Sequence, residues 1–136
     1  MATLGTRTYS PGEVTIIMNG AIVKDWVSIT WTRPNPRYTG TQGSDGELTR
    51  VENAGHQYVE GTLTLKQASS SNIAVNALFT SGVVGPLLVK DGSGTSIHSI
   101  PECTLSSLGD GGYAAEESDR EYNFFGMMIL DAPNGN

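Results

Sequence analysis

Few side chains in this sequence are of a type that performs chemistry. His56 and His98 are its only histidines and Cys103 its only cysteine. With Cys103 or any serine they would permit a Cys-His or Ser-His-Asp arrangement, in which an imidazole takes the proton of the nucleophile. No nucleophile-elbow pattern surrounds a serine, so both histidines read as hydrogen-bonded surface or interface residues. The run Glu116-Glu117-Ser118-Asp119-Arg120-Glu121 invites comparison with a calcium loop. Such loops place oxygens at alternate positions around an internal glycine, which this run lacks, and Asp110-Gly111 nearby does not restore the pattern. It reads as a solvated acidic face. Gly109 to Gly112 lacks the Lys and Ser/Thr of a phosphate loop and reads as a turn.

Trp26, Trp31 and Tyr38 raise the question of a sugar-stacking platform. Trp26 and Trp31 are five residues apart, which in a regular strand sends them to opposite faces. Without a bulge no flat platform forms, and at least one of them belongs to the core or to a subunit contact. The expectation is therefore a protein that is not an enzyme, with no catalytic residue, no cofactor and no metal.

Composition narrows the class. The chain has 136 residues, enough for one domain with a sizeable core. A single cysteine excludes an intrachain disulfide framework and a multi-cysteine metal site. No apolar run approaches the ~18 residues needed to cross a bilayer, and Met1 to Ser10 has no signal-peptide character, so a soluble cytosolic product without a membrane anchor is expected. Fourteen acidic residues against eight basic give a formal charge of −6, which argues against a duplex-binding surface. Only 16% of residues are charged and 17 are glycine. A typical domain is about 25% charged. That deficit fits Thr- and Ser-rich sheets, and a surface partly covered by other subunits.

The elements that would position these residues are mostly strands. Glu13 to Met18 alternates, and Asn19-Gly20 is a strong two-residue hairpin signal. The return strand is expected to run from Ala21 to about Arg33, making a long opening hairpin. Pro34 and Pro36 then exclude central strand, and residues 33–56 form a 24-residue excursion of little apolar content. Tyr38-Thr39 and Leu48 to Val51 would make the two sides of a projecting hairpin, mobile in a free monomer and ordered against a partner. Tyr58 to Lys66 alternates again. One helix is predicted at about Ser71 to Thr80, capped by Ser70 or Ser71, with an inward stripe of Ile73, Ala74, Ala77 and Leu78 and a stop at Ser81-Gly82. Val83 to Lys90 and Thr95 to Glu102 flank a turn at Asp91 to Gly94, and Cys103 to Leu108 extends the second of them. Glu121 to Leu130 is the last strand, and 131–136 is expected to be a frayed, flexible tail.

In this order of elements the chain resembles a bacteriophage tail-tube protein, of the contractile-tailed phages in particular. The likeness spans about residues 10–130. It rests on the opening strands Val14 to Met18 and Trp26 to Trp31, and on the segment Thr41-Gln42-Gly43-Ser44-Asp45-Gly46-Glu47-Leu48-Thr49-Arg50. Gly61-Thr62-Leu63-Thr64-Leu65 and the helix from Ser71 to Leu78 complete it. The resemblance implies a mainly β fold: two packed antiparallel sheets, as a β-sandwich or barrel, with one flanking α-helix and a long projecting loop or hairpin. Residues 1–136 would form a single tail-tube-like domain. It implies homohexameric rings stacked into a tube, the conduit for genome delivery, with the tail sheath, baseplate and tail terminator proteins as partners. Viral DNA would pass through the lumen without specific binding, helped by the acidic excess. The protein would reside in the virion tail and in host cytoplasm during assembly. Residues 33–56 would be the stacking arm, with Arg33, Arg37, Tyr38, Asp45, Glu47, Arg50 and Glu52 as contacts between rings or subunits. A tube terminator, an adaptor or the inner tube of a contractile secretion system would share this order of elements. A monomeric carbohydrate-binding sandwich is the remaining alternative.

Overall fold

The computed structural model describes residues 11–92, 96–109, 112 and 114–132. Met1 to Ser10, the two central residues of the Gly109–Gly112 stretch and part of the Asp91–Gly94 turn lie outside the described residues. After a 3-10 turn at Pro11–Glu13, strand β1 (Val14–Met18) meets β2 (Ala21–Ile22) across Asn19-Gly20. Both turn residues have positive φ, +52° and +84°, as an Asn-Gly hairpin requires. The long return strand does not form. β2 holds only two pairs with β1, and the chain then turns away at Asp25, whose φ of +53° takes it out of the extended region. The corner is fixed by Lys66 N–H donating to Asp25 O, and by Lys24 N–H donating to Ser71 Oγ at 2.8 Å. Strand β3 (Trp26–Thr32) consequently pairs at the far edge of the sheet.

The other strands follow in chain order. β4 (Tyr38–Gln42) and β5 (Leu48–Glu52) stand apart as a two-stranded sheet. β6 (Tyr58–Leu65), helix α1 (Ser71–Ser81), β7 (Gly85–Asp91), β8 (Ser96–Leu108), β9 (Arg120–Met127) and β10 (Leu130–Ala132) complete the body. The main sheet runs β2-β1-β7-β8-β9-β6-β3, antiparallel throughout. β10 continues β9 along β8, with Cys103↔Gly126 and Ser99↔Leu130 in one register. Between them Met128 N–H leaves the ladder to donate to Gln57 O at 2.9 Å. Asp131 and Ala132, expected at the start of a loose tail, therefore belong to a strand, opposite His98 and Ile97. The frayed segment expected over 131–136 does not include these two; 133–136 lie outside the described residues.

The sheet curls until β3, at one end, faces β8, β7 and β1. Trp31 on β3 meets the His98 ring on β8 at 4.8 Å, and a 340 Å³ cleft lined by Val14, Trp26, Ile29, Val89 and His98 separates the layers there. Ile16, Val59, Leu63, Leu65, Leu87, Ile100 and Phe124 fill the interior. The protein is thus mainly β, with antiparallel sheets and one helix as expected, and the curled sheet remains open rather than closing into a barrel. Gly61 lies directly beneath Phe124: a Cβ there would come within 2.5 Å of the ring. A register slip between Trp26 and Ser28 turns Trp26 inward beside Ile29 and Trp31 and leaves Val27 outside, so both tryptophans pack on the core.

The helix forms where periodicity places it, but rotated. Ser71 and Val75 are buried and Leu78 is partly so, whereas Ile73 is 80% exposed and Ala74 and Ala77 face outward. The bond from Lys24 N–H to Ser71 Oγ anchors that face inward. Ser70 holds the N-cap position, as expected, but its side chain makes no capping bond, which Ser69 supplies instead. The Ser69 Oγ accepts from Ser71 N–H at 3.2 Å, and the Ser70 backbone already has helical dihedrals. Gly82, left-handed at φ +68°, closes the other end.

Candidate functional site

β4 and β5 pair from Tyr38↔Glu52 to Gln42↔Leu48, and among the described residues neither strand pairs with anything else. The hairpin expected between 38 and 51 forms. Its turn is closed by Gly43 N–H donating to Glu47 O at 2.8 Å and by Glu47 N–H donating to Asp45 Oδ1 at 3.2 Å. Gly46, at φ +85°, supplies the left-handed step. Every residue of the two strands except Tyr38 is exposed, Leu48 by 74%. Neither face of this small sheet covers a core, so its order comes from the ladder and from side chains along it.

Those side chains make one stack. The Tyr38 ring carries two guanidinium groups, Arg50 at 4.1 Å from its centroid and Arg37 at 5.1 Å. Each such cation–π contact contributes about 0.5–1 kcal/mol at an exposed site. Arg37 Nε stands 3.9 Å from Glu52 Oε1, which also faces His56 Nε2 at 3.8 Å. Exposed pairs of this kind contribute roughly 0–1 kcal/mol.

At its base the arm is stitched to the body. Asn53 N–H donates to Arg37 O at 2.8 Å, and Asn35 Nδ2 donates to Gly55 O at 3.2 Å. Arg33 reaches further, donating to His56 O at 3.3 Å and pairing with Asp131 Oδ2 at 2.8 Å. Asp131 also meets His98 Nδ1, so the last strand, β8 and the arm root share one carboxylate. Burial pushes the Asp131 carboxyl up, but the hydrogen bonds and charges of Arg33 and His98 outweigh it and hold it below the ordinary carboxylate value. A 450 Å³ groove opens beside this junction, lined by Arg33, Asn35, Arg37, His56, Met128 and Ile129 among others.

The seven residues singled out in sequence thus fall into three places. Arg37, Tyr38, Arg50 and Glu52 form the stack, Asp45 and Glu47 shape the tip, and Arg33 is an anchor bonded within its own chain. Asp131, the partner of that anchor, was not singled out, and His98, which Asp131 also meets, was read only as a hydrogen-bonded surface or interface residue. Nothing in local sequence links positions 33, 98 and 131; only sheet register does.

A second surface is the outer face of β3, β6, β9 and β8. Thr30, Thr32, Glu60, Thr62, Ser107 and Asn123 line a 510 Å³ concavity there, with Phe125. Thr62 Oγ1 donates to Asn123 Oδ1, and Asn123 Nδ2 donates to Ser107 Oγ, both at 2.8 Å. Tyr58 OH donates to Glu60 Oε1 at 2.7 Å, and that bond, followed by desolvation, pushes the phenol above its ordinary value. Among the described residues Glu60 is the one charged side chain lining this concavity. Thr62, Asn123 and Ser107 engage one another, and among the described residues that line it there is no cation that would hold a phosphate.

The remaining candidates are accounted for structurally. Cys103 is buried, and burial pushes its thiol up to about 12, far from a nucleophilic thiolate at neutral pH. Glu117 Oε1 accepts from Ala68 N–H at 2.9 Å and Ser118 N–H donates to Gln67 Oε1, so the acidic run ties its loop to the turn before α1. Among the described residues no three His, Cys, Asp or Glu side chains are grouped to hold a metal, and no helix is long and apolar enough to cross a membrane.

No protein-family model matches the chain. It is 28% identical over 135 residues to structural protein ORF10 of Pseudomonas phage KPP10, a match covering 86% of this chain and 76% of that protein. Among solved structures it is similar to a chain of the sheath–tube complex of the extracellular contractile injection system PVC in its extended state, with TM-score 0.65, 9% identity and 92% of each chain covered. It is also similar to a chain of the tube-terminating cap of the anti-feeding prophage (TM-score 0.64, 11% identity, 93% and 92% covered). A third likeness is to the tail of an empty gene transfer agent particle (TM-score 0.62, 12% identity, 92% and 98% covered). The resemblance seen in sequence therefore holds in three dimensions: the chain has the fold found in phage and contractile-injection tail tubes and their terminators.

Proposed function

We propose that this chain is a structural subunit of a phage tail tube, assembling into hexameric rings that stack into the conduit for the genome. The observation that carries this reading is the arm. A 24-residue excursion forms an ordered hairpin, yet neither face of it covers a core of its own chain. Surface of that kind is completed by a copy in the next ring. The likeness to a phage structural protein and to tube-bearing assemblies supports the same role. The concave face of Thr, Ser and Asn would line the lumen. Thr62, Asn123 and Ser107 bond among themselves, and the described residues lining it offer phosphate no cation to release counterions against, so DNA would slide. Sheath, baseplate and terminator proteins would be its partners, in host cytoplasm during assembly and in the virion afterwards. No side chain is assigned a catalytic role.

A terminator that caps the tube is the second reading, favoured by the equally good fit to the terminating cap. Negative-stain microscopy of the concentrated protein separates them: long stacked tubes are expected of a tube subunit, and isolated rings of a terminator. A persistent monomer at high concentration would contradict both. Removing Gly40 to Gly46 is expected to leave rings and abolish stacking, and tubes of normal length from that variant would refute the role of the arm.

A further inference from the structure

The arm and its root carry opposite chemistry. At the tip, Asp45 and Glu47 flank the turn beside Leu48, an acidic edge next to an exposed apolar side chain. The groove at the root presents Arg33, Arg37 and His56 beside Ile129, which is 63% exposed. Asp131, in that groove, is already engaged by Arg33 and His98, and the exposed guanidinium of Arg37, which rests against the Tyr38 ring, meets Glu52 at no closer than 3.9 Å. An acidic–apolar knob thus sits at one end of the hairpin, and a basic–apolar socket at the other.

The two cannot meet within one molecule. The ladder from Tyr38↔Glu52 to Gln42↔Leu48 is five pairs long, and its four steps at about 3.4 Å per residue hold the tip roughly 14 Å from the root. We infer that the arm tip of one copy docks in the root groove of a second copy, Glu47 against Arg37 and Leu48 against Ile129. This inference rests on the self-assembly reading above and names its docking surface. Knob and socket are different patches of one surface, so the contact is head-to-tail and repeats from copy to copy. Each arm then covers the next copy's root, which suits a continuous tube.

Disulfide trapping tests the pairing directly. Leu48→Cys and Ile129→Cys are made as separate proteins, mixed in equal amounts and oxidised; Cys103 is buried and does not compete. Docking raises the local thiol concentration, so the mixed dimer should exceed either homodimer by about tenfold. Arg37→Glu in the Ile129→Cys protein should abolish that excess, and Glu47→Lys in the Leu48→Cys protein should restore it. A statistical mixture of dimers, or no response to the charge reversals, would overturn the pairing. Microscopy of the unmodified protein reads the parent proposal separately. Tubes without preferential trapping would refute this docking mode and leave the tube role standing. Preferential trapping without rings or tubes would keep the pairing and refute that role.

Discussion

β6 and β5 draw on similar residues, Thr, Leu, Val and Glu, yet they meet different fates. β6 has β3 on one edge and β9 on the other, and its Val59, Leu63 and Leu65 are fully buried. β5 has β4 alone, and all five of its residues are exposed. Hydrogen-bond pairing is common to both; what the body adds is burial, at about 25 cal/mol per Å² of apolar surface. The contrast teaches that pairing sets register while packing sets stability. The arm has the first without the second.

The largest expected effect strikes the body. Phe124→Ala, which opens a cavity over Gly61, should lower unfolding free energy by about 3–5 kcal/mol in denaturant titrations. A loss below about 1 kcal/mol would mean that Phe124 is not the keystone it resembles. Next comes the junction. Asp131→Asn removes a charged partner from Arg33 and His98 and, because the pair is solvent-exposed, should lower stability by about 0.5–1 kcal/mol at neutral pH. Because the folded carboxyl titrates below its ordinary value, its stabilisation is present above the unfolded pKa and is lost as pH falls through the folded one. Asp131→Asn should therefore flatten the acid limb of the stability profile, and an unchanged limb would remove the carboxylate from the account. The smallest effect lies in the arm. Tyr38→Ala deletes two cation–π contacts and should change global stability by less than about 1 kcal/mol, while proteolysis within 38–52 becomes faster in the monomer. A large global loss would show that arm and body fold as one unit.

How much of this was legible in sequence follows the same divide. Local signals were enough for the Asn19-Gly20 turn, the alternation of β6, the Gly82 stop and the hairpin on either side of Gly43 to Gly46, because each depends on neighbouring residues alone. What misled depended on distant partners. Asp25 adopts positive φ with its carbonyl engaged by Lys66, which cut the opening hairpin short. Lys24 fixed the rotation of α1, so Val75 rather than Ile73 turned inward. One bulge put Trp26 and Trp31 on the same side. In the arm, positions 37, 38, 50 and 52 could be singled out, but that Arg33 spends itself on Asp131 is visible only once β10 is laid beside β8.

The central claim is that the arm is held by its own ladder and the side chains along it, without a packed core, until a second copy covers it. Native-state amide exchange, read at Thr41 and Thr49 against Leu63 and Phe124 in monomer and in assembled protein, tests it most directly. The account predicts that the arm amides exchange through local opening in the monomer, at a small fraction of the protection seen in β6 and β9, and that assembly slows them. Arm amides as protected as the core in an isolated monomer, or unchanged on assembly, would contradict it.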